Sequence, residues 1–177
     1  MRRLLVVTRP EYILDTNVFI ESAKRYYAFD IAPGFWKALI KIAQTCKVKS
    51  LDRVMDEIFR KEDELSAWIR ENFMDYFIDT ATDKEVIHNY RKLLNWAMNH
   101  QHYNDNAKEE FAKEDNADPW LLAYALTYQE VTIVTGEQYR RGIKRKIPIP
   151  NACEELNLNC INTFEFLRRF NVSLKYE

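Results

Sequence analysis

Acidic side chains follow two short apolar runs that have the length and composition of buried strands. Asp15 comes directly after Tyr12–Leu14, and Glu137 lies shortly after the β-branched run over residues 131–134. The carboxyl ends of parallel strands meet at one edge of a sheet, where functional groups gather in open α/β folds. A carboxylate buried there is costly unless it is solvated, paired or bound to a cation. We therefore expect both acids at one edge, although either can also be a simple turn residue.

Two further acids lie on predicted helices. Asp118 precedes Pro119, which is the usual order of an N-cap and a first helical residue. Because the helix that follows is apolar on all sides, its first turn must lie in the wall of the protein. There the Asp118 carboxylate can cap one amide and offer an oxygen to a metal. On the helix over residues 51–58, Asp56 and Glu57 flank the apolar stripe about equally, so periodicity does not choose between them.

Converging carboxylates favour a bound cation. Two of them ~4 Å apart repel by about 4 kcal/mol at an effective dielectric constant of about 20. A divalent ion relieves that repulsion, and a ligand set made only of oxygens selects Mg²⁺ or Mn²⁺ over Zn²⁺. Such an ion polarises a phosphoryl oxygen and generates hydroxide from bound water. The acids thus indicate phosphoryl chemistry with Mg²⁺ or Mn²⁺ as the cofactor.

A basic run follows the last acid. It contains five cations: Arg140, Arg141, Lys144, Arg145 and Lys146. Their position beside Glu137 suits contacts to nucleic-acid phosphates, although a solvated loop is the more frequent role of such a run. Five aromatic residues could stack on bases: Tyr26, Tyr27, Phe29, Tyr103 and Tyr139. Core packing is the default for most of them.

Composition excludes several other classes of protein. The chain has 177 residues with 26 Lys and Arg against 27 Asp and Glu, so any nucleic-acid affinity must come from a local patch. Its three glycines form neither the dinucleotide-binding nor the P-loop motif. Its three cysteines contain no C-x-x-C pair, which argues against a disulfide framework and a four-ligand zinc site. His100 and His102 could be assembled into a zinc site, but an H-x-H pair in a polar stretch is usually solvated.

Short strands alternate with helices along the chain. Strands are predicted at Tyr12–Leu14, around Val48, and over residues 76–78, 131–134 and 160–161. Helices are predicted over residues 36–46, 51–58, 82–98 and 117–128, and after residues 64, 150 and 162. Ser50 is the expected cap of the helix over 51–58, and Thr82 with Glu85 forms a capping-box pattern for the next long helix. Residues 99–106 are predicted to form a projecting polar loop. This alternation predicts one three-layer α/β/α domain over residues 1–177, with a mostly parallel sheet.

Nothing in the sequence predicts export or membrane insertion. The apolar residues 4–7 are too few for the core of a signal peptide, and no apolar run reaches about 18 residues. We therefore expect a cytoplasmic protein without a membrane partner.

The order and spacing of these acidic segments resemble the four motifs of PIN-domain nucleases. The segments are Asp15-Thr16-Asn17, Ser50 to Glu57, Ala117-Asp118 at the start of an apolar helix, and residues 131–137. The resemblance covers nearly the whole chain. Phe35-Trp36, residues 63–68, and residues 146–148 with Cys153 further resemble an uncharacterised bacterial subgroup of that family.

The resemblance implies a Mg²⁺- or Mn²⁺-dependent ribonuclease on a five-stranded parallel sheet. By motif position, the catalytic acids are Asp15, Glu57, Asp118 and Glu137. The first three of them are the implied metal ligands, and the implied polar helpers are Thr16, Asn17 and Thr135. Glu57 is thereby preferred over Asp56. Members of the family are often toxins of toxin-antitoxin pairs, which implies RNA as substrate, an antitoxin as partner, and a homodimer.

One departure from the family pattern leaves alternatives open. The family usually has Asp where this chain has Glu137, and a Glu side chain reaches ~1.5 Å further, so it could coordinate an ion directly or through water. A non-catalytic PIN-like module that binds RNA or protein is therefore one alternative. A haloacid-dehalogenase-like phosphatase is another, but it requires Asp at the position of Asn17 and a late Gly-Asp pair, which the sequence lacks.

Overall fold

The computed structural model describes residues 9–175. The strands are β1 (Tyr12–Leu14), β2 (Val48–Leu51), β3 (Phe77–Ile78), β4 (Thr132–Val134) and β5 (Asn159–Ile161). The α-helices are α1 (Thr16–Glu21), α2 (Pro33–Ala43), α3 (Asp52–Ile58), α4 (Glu64–Asn72), α5 (Lys84–Asn99), α6 (Asp105–Phe111), α7 (Asp118–Thr127), α8 (Ile149–Leu156) and α9 (Thr163–Arg169). The apolar residues 4–7 lie outside the described part of the chain.

The five strands form one parallel sheet in the order β3-β2-β1-β4-β5. Strand β1 is central, with Tyr12 in register with Val48 on one side and Thr132 on the other. Helices cover both faces of the sheet, so the prediction of a three-layer α/β/α fold is confirmed. From β1 the chain continues to β2 and β3 on one side of the sheet, and from β4 it continues to β5 on the other side. The carboxyl ends of β1 and β4 therefore form the topological switch point, where ligands bind in such folds.

Apolar side chains fill the space between the sheet and the helices. Ile13, Leu14, Ile133 and Val134 are fully buried, as expected for central strands covered on both faces. Helix α7 is buried along its length from Pro119 to Ala125, which confirms the prediction from its apolar composition. Within residues 9–175, no helix combines the length and the apolar character needed to cross a membrane.

Two predicted helix caps are wrong. Ser50 lies inside β2, where its hydroxyl donates to the Leu14 carbonyl at 2.6 Å and so ties two strands together. Helix α5 is capped by Asp83 rather than Thr82, since the Asp83 carboxylate accepts from the Glu85 amide at 3.1 Å. An ionised carboxylate is a stronger acceptor than the neighbouring hydroxyl, so the cap shifts by one residue.

The segment 99–106 does not project from the domain as predicted. Helix α6 begins within it, capped by Asn104, and Tyr103 is only 3% exposed. The His102 ring bonds to the Ile143 carbonyl at 2.8 Å. The segment therefore packs against the basic run itself, and burial of the Tyr103 ring outweighs the polar character of its neighbours.

Candidate active site

Asp15 lies at the switch point and is 1% exposed. One of its oxygens, Oδ2, accepts a hydrogen bond from the Thr135 hydroxyl at 2.6 Å and another from the Asn17 amide at 3.2 Å. Burial raises the pKa of Asp15 to about 7, and the charges of Glu137 and Glu57 add to the rise, while the Thr135 hydrogen bond opposes it. The site thus holds the Asp15 carboxyl group in place but makes its ionisation costly.

Asp118 is the first residue of α7 and is half-buried. The prediction that it caps this helix is wrong: Ala117 is the N-cap residue and no cap bond is made by a side chain at that position. Backbone amides at the start of α7 that lack an acceptor within the helix donate to other groups. The Asp118 amide donates to Asn116 Oδ1 at 3.0 Å, and the Ala117 amide donates to Glu57 Oε1 at 2.9 Å. Within residues 9–175 no hydrogen bond occupies the Asp118 carboxylate.

The charge state of Asp118 is coupled to that of its neighbours. Burial raises its pKa well above the usual range, and the charge of Asp15 is the next largest cause of the rise. Glu137 and Glu57 also raise this pKa, while Lys146 lowers it. The four acids predicted from the sequence therefore lie close enough to act on one another.

Glu57, and not Asp56, faces the site. Glu57 is half-buried, whereas Asp56 on the same helix is exposed. The Thr16 hydroxyl donates to Glu57 Oε2, and the other oxygen accepts the Ala117 amide. Glu57 thus joins the starts of α1 and α7 to α3, and Thr16 supports Glu57 while Thr135 and Asn17 support Asp15.

Both oxygens of Glu137 are engaged by the protein. Oε2 accepts the amide of Ile149, the first residue of α8, at 2.8 Å, and Oε1 pairs with the Lys146 ammonium. The Glu137 amide in turn donates to the Thr135 hydroxyl at 3.0 Å. The side chain of Glu137 is 11% exposed. The Glu137 side chain, which is longer than that of Asp, thus connects the loop after β4 to the start of α8.

The basic run, residues 140–146, forms an exposed rim that meets the acids at Lys146. Burial alone would lower the pKa of Lys146, but the bond to Glu137 and the charges of Glu137, Asp118 and Asp15 raise it overall. The remaining cations of the run are exposed: Arg140, Arg141, Lys144 and Arg145. Asn151, which the sequence analysis did not single out, anchors this rim through two hydrogen bonds of 3.0 Å to the Arg140 backbone. Its only signal in the sequence is its place after Pro150 in the first turn of a helix.

A groove of about 850 Å³ opens beside the site. Asn17, Glu137 and Lys146 line it near the acids, and the side chains of Tyr26 and Phe164 line another part. These two rings are 58% and 49% exposed, and their centroids lie 6.0 Å apart in an edge-to-face arrangement. Tyr26 ends the π-helical segment Ser22–Tyr26, a type of distortion that is frequent at functional sites.

Most of the other candidate stacking residues belong to the core. Tyr27 stacks on Phe35 with ring centroids 4.3 Å apart, and Phe29 stacks on Trp36 at 4.1 Å. Tyr139 is 53% exposed at the groove. The sequence analysis missed Phe164, whose only signal is an aromatic side chain between the polar residues of a first helical turn.

The donor set at the acids fits Mg²⁺ or Mn²⁺. Mg²⁺ is commonly held by one or two carboxylates, with waters and substrate phosphates as its remaining ligands, and Asp15 and Asp118 supply such a pair. In the described residues no three His, Cys, Asp or Glu side chains are arranged as a complete metal-binding group. The oxygens of Glu57 and Glu137 accept hydrogen bonds from the protein itself.

The two histidine rings contact other groups of the chain. His100 Nε2 contacts Glu155 Oε2 at 2.7 Å, and the His102 ring contacts a backbone carbonyl. Both side chains therefore join the 99–106 segment to neighbouring parts of the chain.

A family described as a domain of unknown function, DUF4411, matches residues 12–174, which include all four acids and the basic run. No curated protein matches the chain.

Proposed function

The chain belongs to the DUF4411 family, and we propose that it is a Mg²⁺- or Mn²⁺-dependent endoribonuclease with a PIN-like active site. The observation that carries the proposal is the pair Asp15 and Asp118 at the switch point of a parallel sheet. Both carboxyl groups have raised pKa values caused by burial and by neighbouring acids. A divalent cation would remove the cost of holding these charges together.

The surrounding residues have distinct proposed roles. Asp15 and Asp118 would hold the ion. Thr135 and Asn17 fix the Asp15 carboxylate, and Glu57, supported by Thr16, would add negative charge near the ion. When bound, the ion supplies Lewis-acid activation of the phosphodiester and of the attacking water.

RNA as the substrate is supported by the groove. Its basic rim suits phosphates, since Lys and Arg provide most of the sequence-independent affinity for nucleic acid. The exposed rings of Tyr26 and Phe164 offer faces on which unpaired bases can stack. Both features line the groove that Glu137 and Lys146 also line, so a strand bound there would pass beside the proposed ion.

Cleavage of 5′-labelled RNA tests this proposal. Purified protein should cleave single-stranded or structured RNA with Mg²⁺ or Mn²⁺ but not with EDTA, and Asp118→Asn should reduce the rate at least about a hundredfold. Asp56→Asn is the matched control, because this exposed acid on α3 makes no contact with the site, and it should cleave at the wild-type rate. Metal-independent cleavage, or full activity of Asp118→Asn, would exclude the proposed site.

A non-catalytic RNA-binding module is the second candidate. The observation that favours it is the engagement of Glu137 by Lys146 and Ile149, which withdraws one acid of the PIN pattern from the ion. RNA binding without cleavage under any metal condition would support this candidate. The antitoxin partner and the homodimer stay predictions of the resemblance, and the cytoplasmic location stays a prediction from the sequence pattern.

A further inference from the structure

We infer that Glu137 is a positioning residue for Lys146, whose ammonium group binds a phosphate oxygen of the RNA at the reacting centre, and that Glu137 is not a metal ligand. This inference rests on the proposed nuclease function and assigns roles to two residues within that site.

The first argument is that both carboxylate oxygens of Glu137 already have partners within the protein. Its two oxygens accept hydrogen bonds from Lys146 and from the Ile149 amide, and its own amide bonds to the hydroxyl that supports Asp15. An ion at Glu137 would have to share these oxygens with a backbone amide and an ammonium group. The positive charge of Lys146 would also oppose a cation placed directly beside it.

The second argument is the placement of Lys146. An ammonium group has three donors, and Glu137 uses one of them. The side chain of Lys146 is 51% exposed and lines the groove, while the charges of Asp118 and Asp15 still act on it. It therefore has donors free for a phosphate that lies between the acids and the basic rim.

The third argument concerns reach. Glu137 follows Gly136 in the turn after β4, and its carboxylate must contact both Lys146 and the first amide of α8. An Asp at this position would be one methylene, ~1.5 Å, shorter. The extra reach of Glu, compared with the Asp of the PIN pattern, is therefore used for the contacts with Lys146 and Ile149.

One experiment separates Glu137 from the metal. Melting temperatures are measured with increasing Mn²⁺ for the wild type, Glu137→Gln and Asp118→Asn. Gln keeps an acceptor for the Ile149 amide, so this variant should fold. The Mn²⁺-dependent rise should persist in Glu137→Gln and disappear in Asp118→Asn. Loss of the rise in Glu137→Gln would overturn the inference, whereas an unchanged rise in Asp118→Asn would instead contradict the proposed metal site.

A second experiment tests Lys146 without requiring cleavage. Binding of a 2′-O-methyl RNA oligonucleotide, which resists hydrolysis, is measured by fluorescence anisotropy in EDTA over a range of salt concentrations. Lys146→Met should weaken binding about tenfold and reduce the slope of log Kd against log salt by about 0.7, the value for one contact to a single strand. Lys146→Arg should restore the slope.

The matched control is Lys37→Met, which removes an exposed lysine from α2 outside the groove and should bind as the wild type does. Wild-type affinity and slope in Lys146→Met would overturn the inference. If the wild type binds through Lys146 but cleaves no RNA, the nuclease proposal fails while the phosphate contact stands.

Discussion

At the scale of single residues, the site is governed by the cost of burying negative charge. Asp15 is almost completely buried. Its Oδ2 oxygen accepts hydrogen bonds from the side chains of Thr135 and Asn17. Asp118 has no hydrogen bond to its carboxylate within the described chain, and each acid raises the cost of ionising the next. An arrangement of this kind lowers the stability of the protein and is typical of sites selected for binding or catalysis.

The first prediction at this scale is that Asp15→Asn stabilises the protein at neutral and alkaline pH. The pKa of Asp15 is raised to about 7 in the folded state. Between pH ~4 and ~7, Asp15 is therefore protonated to a greater extent in the folded state than in the unfolded state. Stability is therefore lost as pH rises through this window. Removing the charge should raise the free energy of unfolding at pH 8 by on the order of 2 kcal/mol, or roughly 5 °C in Tm.

Thermal melts at pH 8 and pH 5 check this prediction. The gain should be smaller at pH 5, where Asp15 is mostly protonated in the folded wild type, and Asp56→Asn should show no gain at either pH. A loss of stability in Asp15→Asn at pH 8 would mean that the charge of Asp15 is needed by the fold.

The second residue-scale prediction concerns the pH dependence of metal binding. A proton on Asp15 competes with the ion, so Mn²⁺ affinity should rise as pH increases through about 7 and level off above it. Isothermal titration calorimetry between pH 6 and pH 8.5 measures this directly. Asp15→Asn should bind Mn²⁺ more weakly than the wild type at every pH, and any pH dependence that remains in this variant reports Asp118, whose pKa is also raised. A wild-type affinity that is constant across the range would exclude Asp15 as a ligand.

At the scale of secondary-structure elements, Glu57 connects three helices at the site. Its carboxylate receives the Thr16 hydroxyl from α1 and the Ala117 amide at the start of α7. The start of an apolar helix leaves amides that need acceptors, and Glu57 and Asn116 provide them in place of a conventional cap. The contact also leaves the Asp118 carboxylate available.

We predict that Glu57→Ala and Glu57→Gln differ in stability but not in activity. Alanine leaves the Ala117 amide without an acceptor and should lower the free energy of unfolding by about 1–2 kcal/mol. Glutamine retains an acceptor and should fold with nearly wild-type stability, yet lose RNA cleavage because the charge is gone. Urea unfolding and the cleavage assay measure the two effects separately. Wild-type cleavage by Glu57→Gln would reduce Glu57 to a structural residue.

At the scale of the whole molecule, strand order brings distant parts of the chain to one edge. Strand β1 pairs with β2 and β4, so Asp15 meets residues that follow β4 more than a hundred positions later. The groove continues from this edge to Tyr26 and Phe164, which come from opposite ends of the sequence. Glu137, the two ends of the basic run at Arg140 and Lys146, and the exposed rings of Tyr26 and Phe164 thus line one groove.

We predict that Tyr26→Ala and Phe164→Ala weaken the binding of single-stranded RNA. Stacking of one base on an aromatic ring is worth about 1–3 kcal/mol, so each variant should bind an oligonucleotide at least about fivefold more weakly with little change in salt dependence. Met98→Ala is the matched control, since Met98 is exposed to a similar extent and lies outside the groove. Equal affinity of all three variants would mean that RNA does not use this part of the groove.

The sequence by itself determined the alternation of strands and helices, the position of Asp15 after the first strand, and the burial of α7. These features depend on short-range patterns of apolar residues, which report directly which positions must leave water. The tertiary structure alone decided that Asn116 and Glu57, rather than Asp118, serve the start of α7. It alone also showed that Glu137 pairs with Lys146. Such contacts join residues on different elements, and periodicity identifies the buried face of a helix but not the partner toward which a flanking charge points.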